Sequence, residues 1–103
     1  MKLNEKNFML GKLKFSQNIE RNMQNYKKFH DEIENILNRY LNKDWTETKK
    51  DTRKLNEISL KYNGQLGCEL LATYESTLGK ILINTREKGL LRETKIRFLE
   101  EIH

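Results

Sequence analysis

From Cys68 onward the apolar residues of this chain recur at every second position. Cys68, Leu70, Ala72 and Tyr74 alternate with Glu69, Leu71, Thr73 and Glu75. After the polar segment STLG, Ile81, Ile83 and Thr85 alternate with Lys80, Leu82, Asn84 and Arg86. A period of two sends alternate side chains to opposite faces of a strand, and a helix cannot use it. Two such runs joined by a short segment ending in Gly79 predict a β-hairpin. The residues EKGL (87–90) predict a second turn. RETKIRFLEE (92–101) then supplies a third strand or a last short helix.

Upstream the spacing is different. Phe29, Ile33, Ile36, Leu37, Tyr40 and Leu41 follow one another at intervals of three and four, the stripe of an amphipathic helix. Ile19 and Met23 begin the same spacing. The helical region therefore runs from a cap at Ser16 to about Asn42, with a break expected at Asn25–Tyr26. NKDW (42–45) ends it. A further helix is expected over 48–64. It opens on a capping-box-like pair, Thr48 and Asp51, turns Leu55, Ile58 and Tyr62 to one face, and stops at Asn63–Gly64. Near the N-terminus, Leu13 and Phe15 alternate with Lys12 and Lys14, which predicts a short strand or extended arm.

These elements define an α+β fold: a short N-terminal strand, then two or three helices packed on a three-stranded antiparallel meander. With 103 residues the chain forms one domain, 1–103. Phe, Tyr, Leu and Ile spread along the whole length argue against a disordered chain, although 34% of residues are charged. Trp45, the sole tryptophan, is expected to plug the gap between helix and sheet, the alternative being an exposed contact anchor. Burial of Leu71, Leu82 and Leu99 would mean that both sheet faces are covered, which would point to a homodimer through the sheet.

The net charge of +5 is carried entirely by residues 1–30, where seven basic groups face two acidic ones. A basic surface attracts phosphates or an acidic protein, although scattered lysines commonly only solubilise a surface. The candidate contact residues are Lys12, Lys14, Arg21, Lys27 and Lys28 near the N-terminus. Arg86, Arg92, Lys95 and Arg97 join them on the sheet face turned away from the helices, depending on register. Nothing specific to a nucleic-acid motif accompanies them. The sheet has no aromatic platform of the RNA-recognition type, and there is no zinc finger or helix-turn-helix.

Catalytic constellations do not assemble from these residues. His30 and His103 are the only histidines and Cys68 is the only cysteine, so no zinc spacing exists. A Cys68–His30 nucleophilic pair is the one enzymatic alternative, but Cys68 falls on the apolar side of a strand, where a small core residue belongs. The glycines stand singly, so no phosphate-cradling loop is present. No cofactor or metal is expected. A single cysteine suits a reducing cytoplasm. No apolar run approaches a membrane span, and Met1-Lys2 is not followed by a signal-peptide core.

The order FMLG (8–11), DW (44–45), Asn56, NG (63–64), LLATY (70–74) and GKILINTRE (79–87) resembles a family of proteins of roughly this chain's length. They are found on phages, plasmids and other mobile elements of low-GC Gram-positive bacteria, and are often labelled a type I restriction subunit. That label cannot be literal for this chain, which has no room for a methyltransferase domain. Where the family continues with an Asp-Arg-Ser turn and a Thr-Thr strand, this chain has KGLLRETKIRF, with Thr94 and Ile96 the matching positions. The resemblance brings no catalytic residues. It implies a non-catalytic accessory protein that occupies a surface on a host protein or nucleoprotein complex. Defence nucleases, CRISPR effectors among them, are the expected targets. The alternative is a small DNA- or RNA-binding factor serving replication or transcription of the element.

Overall fold

Ser16 sets the start of the first helix. Its extended backbone leaves the side chain free to accept the Ile19 N–H at 3.2 Å, which satisfies one of the unpaired amides of a helix N-terminus. In the computed structural model, which describes residues 10–61, 69–88 and 91–101, strand β1 (Lys12–Phe15) leads into α1 (Gln17–Asn25) and α2 (Lys27–Leu41). The expected break falls at Tyr26, whose extended φ of −130° separates the two helices. Helix α3 (Lys50–Lys61) follows, then β2 (Glu69–Tyr74), β3 (Ile81–Lys88) and β4 (Leu91–Phe98). The chain after β4 closes in a 3-10 turn, Leu99–Glu101, so the C-terminal segment is a strand followed by one helical turn.

The four strands form one sheet in the order β1-β4-β3-β2. The predicted hairpin forms, and its register sets Ala72 opposite Ile83 and Tyr74 opposite Ile81. Its turn is closed by reciprocal Ser76–Gly79 backbone bonds. The expected three-stranded antiparallel meander is corrected in one respect. β1 joins the sheet, parallel to β4, and makes it four-stranded and mixed. Leu13 and Phe15 pack at the margin of the core, and the Ser16 N–H bonds the Ile96 carbonyl at 3.0 Å. Those apolar contacts and ladder bonds are what an isolated arm would forgo.

Helices α1 and α2 cover one sheet face. All six residues of the predicted α2 stripe are buried, and they meet Leu70, Ala72, Tyr74, Ile81, Ile83, Ile96 and Phe98 from the strands. Phe29 stacks on Phe98 with ring centroids 5.7 Å apart. Trp45 is buried in the same core, as expected of a plug. Inside this apolar layer runs a chain of hydroxyls. Tyr40 Oη lies 2.8 Å from Thr85 Oγ1, which lies 2.8 Å from Thr94 Oγ1. The Thr94 hydroxyl donates to the Leu10 carbonyl at 2.7 Å. Each hydroxyl has one proton, so Thr85 must donate to Thr94 and Tyr40 to Thr85.

Helix α3 departs from the sequence pattern. It starts at Lys50, with the Lys49 carbonyl taking the Arg53 N–H. The Thr48 hydroxyl turns to the sheet and accepts the Thr73 N–H at 3.2 Å, so the expected Thr48–Asp51 box gives way to a tertiary bond. Leu55 and Ile58 are 62% and 52% exposed. Among the α3 residues whose side chains are described, the buried one is Asn56, which bonds the Leu71 N–H and C=O at 2.9 and 2.7 Å. Tyr62, Asn63, Gly64, Cys68 and His103 lie outside the described residues. Leu82 is buried within the single chain, Leu71 is half-buried and Leu99 is exposed, so covering Leu82 takes no second copy.

Candidate docking face

Strand alternation fixes what the face opposite α1 and α2 presents. On β4, Thr94, Ile96 and Phe98 point into the core, so Glu93, Lys95 and Arg97 point away from it. The register then aligns three rows across the sheet. The first runs Lys12, Glu93, Arg86, Glu69, alternating in sign. The second runs Lys14, Lys95, Asn84, Leu71, and the third Arg97, Leu82, Thr73.

Five of the nine sequence-predicted contact residues, Lys12, Lys14, Arg86, Lys95 and Arg97, thus share one face with two carboxylates. Glu93, largely buried, sits between Lys14 Nζ at 3.1 Å and Lys95 Nζ at 3.8 Å. Its charge offsets the repulsion between two lysines held directly opposite each other. Glu69 lies 3.8 Å from Arg86 Nε and accepts from Asn84 Nδ2 at 2.8 Å. Lys12 has no carboxylate within 4.0 Å among the described residues. Lys14, Phe15, Ser16, Lys95, Ile96 and Arg97 line an open hollow along β1 and β4, and the Arg97 Nε is buried beside it without a hydrogen-bond partner among the described residues.

The remaining four residues lie elsewhere. Arg21 is on α1, and Lys27 and Lys28 open α2, all exposed on the helical side of the molecule. Arg92 has the same parity as Thr94 and Ile96, so it faces the helix side, where it pairs with Glu87. The expectation that Arg92 joins Arg86, Lys95 and Arg97 is corrected by this parity. Glu69 and Glu93, which pattern the face, were not singled out in the sequence. Placing them opposite Arg86 requires the register.

A second concentration of charge has a structural role. Arg39 bonds Asp44 at 2.8 Å and Glu47 at 2.7 Å, and its guanidinium lies over the Tyr74 ring, 5.0 Å from the centroid. The Tyr74 hydroxyl donates to the Asp44 carbonyl. This cluster pins the α2–α3 connection against β2. The Arg39 bond holds the Asp44 carboxyl below the ordinary carboxylate range, with the bonds from Thr46 adding to it. His30 pairs with Glu34 at 3.3 Å and Asp31 at 3.6 Å on the exposed side of α2. Among the described residues no three His, Cys, Asp or Glu side chains gather closely enough to hold a metal ion. No described helix is long and apolar enough to cross a membrane.

No family model, curated protein or solved structure matches this chain.

Proposed function

We propose that the protein is a non-catalytic binding module that docks its charged sheet face on a protein of a nucleic-acid-handling host complex and blocks or modulates it. The observation that carries this reading is the register-built cluster of Lys12, Lys14, Arg86, Lys95 and Arg97 interleaved with Glu69 and Glu93. A phosphate backbone offers charges of one sign only, and Glu69 and Glu93 would oppose it. A protein surface matches alternating signs row by row, which gives register and partner choice. The sequence resemblance to mobile-element accessory proteins supplies the context. In that setting the partner is a cytoplasmic defence nuclease of the host, with a CRISPR effector the first to test.

A second reading, direct DNA or RNA binding by an accessory factor, draws on one observation. Lys14 and Lys95 are directly opposed and Arg97 adjoins them, so that corner of the face is basic. The two readings separate by binding to a labelled mixed-sequence duplex and single strand at about 50 and 200 mM salt, the range over which phosphate contacts lose most affinity. Tight binding that collapses with salt supports the accessory factor. The docking reading expects negligible binding to free nucleic acid, together with inhibition of target cleavage by a reconstituted CRISPR effector. That inhibition must be lost in a Lys14→Glu/Arg97→Glu variant. Full inhibition by this variant sinks the face as the docking surface.

A further inference from the structure

The two edges of the sheet are finished differently. Along β2 and the residue that follows it, three successive outward amides are taken. Asn56 holds the Leu71 peptide at both its N–H and C=O, Thr48 accepts the Thr73 N–H, and Glu47 accepts the Glu75 N–H at 2.9 Å. Along β1 the Ser16 N–H points at β4. Alternation therefore turns the backbone groups of Lys12 and Lys14 to β4 as well, and those of Leu13 and Phe15 outward. These four outward groups have no hydrogen bond among the described residues. An open edge of this kind is a template for another strand.

The side chains along this edge are sorted by face. Leu13 and Phe15 are half-buried at the margin of the core, while Lys12 and Lys14 are exposed on the charged face. Lysines on an edge deter self-pairing. Two copies joined antiparallel through β1 would set Lys12 and Lys14 of one against the same lysines of the other. The charges that reject a second copy favour a strand carrying carboxylates at those positions. Lys95, one strand further in, adds to the same potential, because Lys14 and Lys95 share the single nearby carboxylate of Glu93.

We infer that β1 accepts an extended acidic segment of the partner protein as an additional strand. The main-chain groups of Leu13 and Phe15 supply the pairing. Apolar residues of the incoming segment continue the core face beside Leu13 and Phe15, and its Asp or Glu residues lie beside Lys12 and Lys14. The segment is thus an alternating apolar–acidic strand. This inference rests on the reading of the face as a protein-docking surface and names how the partner engages it.

The test is titration of the full chain with a short peptide alternating valine with glutamate, followed through backbone amide shifts and hydrogen exchange. A valine–lysine peptide serves as control. The amides of Leu13 and Phe15 are expected to shift and gain protection with the acidic peptide only. A Lys12→Glu/Lys14→Glu variant is expected to lose affinity by about ten-fold or more and to prefer the lysine peptide, as charge complementarity requires. Leu13→Pro removes an outward N–H while leaving the bonds to β4, and abolishes binding if the sheet still forms. The charge-reversed variant keeps the test decisive if it does not. Lys54→Glu, exposed on α3 at the opposite edge of the sheet, leaves peptide affinity within about two-fold because distance and salt screen it. Unprotected Leu13 and Phe15 amides at saturating acidic peptide overturn the inference, as does equal protection by the lysine peptide. Protection that grows with protein concentration alone makes a second copy the occupant and also overturns it. Failure of this inference alone appears as no peptide pairing while Lys14→Glu/Arg97→Glu still abolishes effector inhibition. Failure of the underlying reading appears as inhibition indifferent to that variant.

Discussion

The side-chain amide of Asn56 pairs with the peptide of Leu71 as a strand would, accepting from its N–H at 2.9 Å and donating to its C=O at 2.7 Å. One residue of α3 thereby closes the outer edge of β2. Asn56 is 1% exposed, and the two bonds it makes to half-buried Leu71 are partly screened from water. Asn56→Ala is expected to lower stability by about 1–3 kcal/mol, the sum of two lost bonds. Asn56→Asp keeps the acceptor and loses the donor, setting a carboxylate against the Leu71 carbonyl. It should be the more damaging substitution at neutral pH and recover in acid, where the protonated carboxyl donates again. Urea unfolding of both variants at two pH values checks the order.

The hydroxyl chain from Tyr40 to Leu10 has one direction, and its members are therefore unequal. Thr94 both satisfies the Leu10 carbonyl and accepts from Thr85, whereas Tyr40 gives its proton to Thr85 at the far end of the chain. Thr94→Val leaves a buried carbonyl unpaired and a Thr85 proton without its acceptor, at an expected cost of about 2–3 kcal/mol. Tyr40→Phe takes away the proton given to Thr85 and strands no carbonyl of the chain, and a smaller cost of about 1–2 kcal/mol is expected. Equal losses in denaturant unfolding would mean that the chain runs the other way or is broken.

Burial pushes the Tyr40 and Tyr74 phenols above their ordinary value of 10.0. In the unfolded chain both ionise near that value. As pH rises past 10 the unfolded state loses protons that the folded state keeps, so stability falls by up to about 2.7 kcal/mol per pH unit for the two together. Phenolate absorbance from these residues is expected only as the fold is lost, and Tyr74→Phe should move the alkaline midpoint upward. The acid limb has the opposite sign. Asp44 is held below its ordinary 3.8 by Arg39, so its contribution is present above that value and disappears as pH drops through the lower folded value. Because both partners are partly exposed, Asp44→Asn should flatten the acid limb by no more than about 1 kcal/mol.

Gly11 adopts φ +68° just before β1, and a Cβ there would stand 2.2 Å from the Arg92 carbonyl oxygen. Backbone conformation and steric room both demand glycine at this position. Gly11→Ala should therefore cost at least about 2 kcal/mol and do so by detaching β1 from β4. Leu13 and Phe15 would then lose their half-buried environment. Gly79, at φ +138° with Phe98 no nearer than 3.7 Å, has the conformational demand without the clash, and its alanine variant should be the milder in thermal unfolding.

What the sequence disclosed follows from the range of each interaction. The hairpin was legible because period-two alternation and the STLG turn are local, and α2 because its stripe spans four turns. The parallel pairing of β1 with β4 joins Lys12 to Glu93, and nothing near either residue records it. Asn56 was hidden because an asparagine on a helix reads as a solvent-facing residue, while Leu55 and Ile58 read as the buried face. Part of the docking face could be read from parity alone. Lys95 and Arg97 alternate with Thr94 and Ile96, and the same count assigns Arg92 to the helix side. The carboxylates that pattern the face could not, because Glu69 meets Arg86 only through the hairpin register.

Charge reversal should separate the two sides of the molecule. Lys14→Glu with Arg97→Glu alters the sheet face, and Lys27→Glu with Lys28→Glu makes an equal change of net charge at the exposed start of α2. If the sheet face docks on the host complex, the first pair abolishes inhibition of the effector and the second leaves it near the level of the unmodified protein. Partners drawn in only by overall basicity would respond alike to both, since the long-range field depends on total charge. The bridge lost with Lys14 is a small stability term. Lys14 is about half exposed, and losing its bridge to Glu93, which keeps Lys95, is expected to cost under about 1 kcal/mol. A matched loss of inhibition in both variants, with both still folded by circular dichroism, would move the docking surface off the sheet.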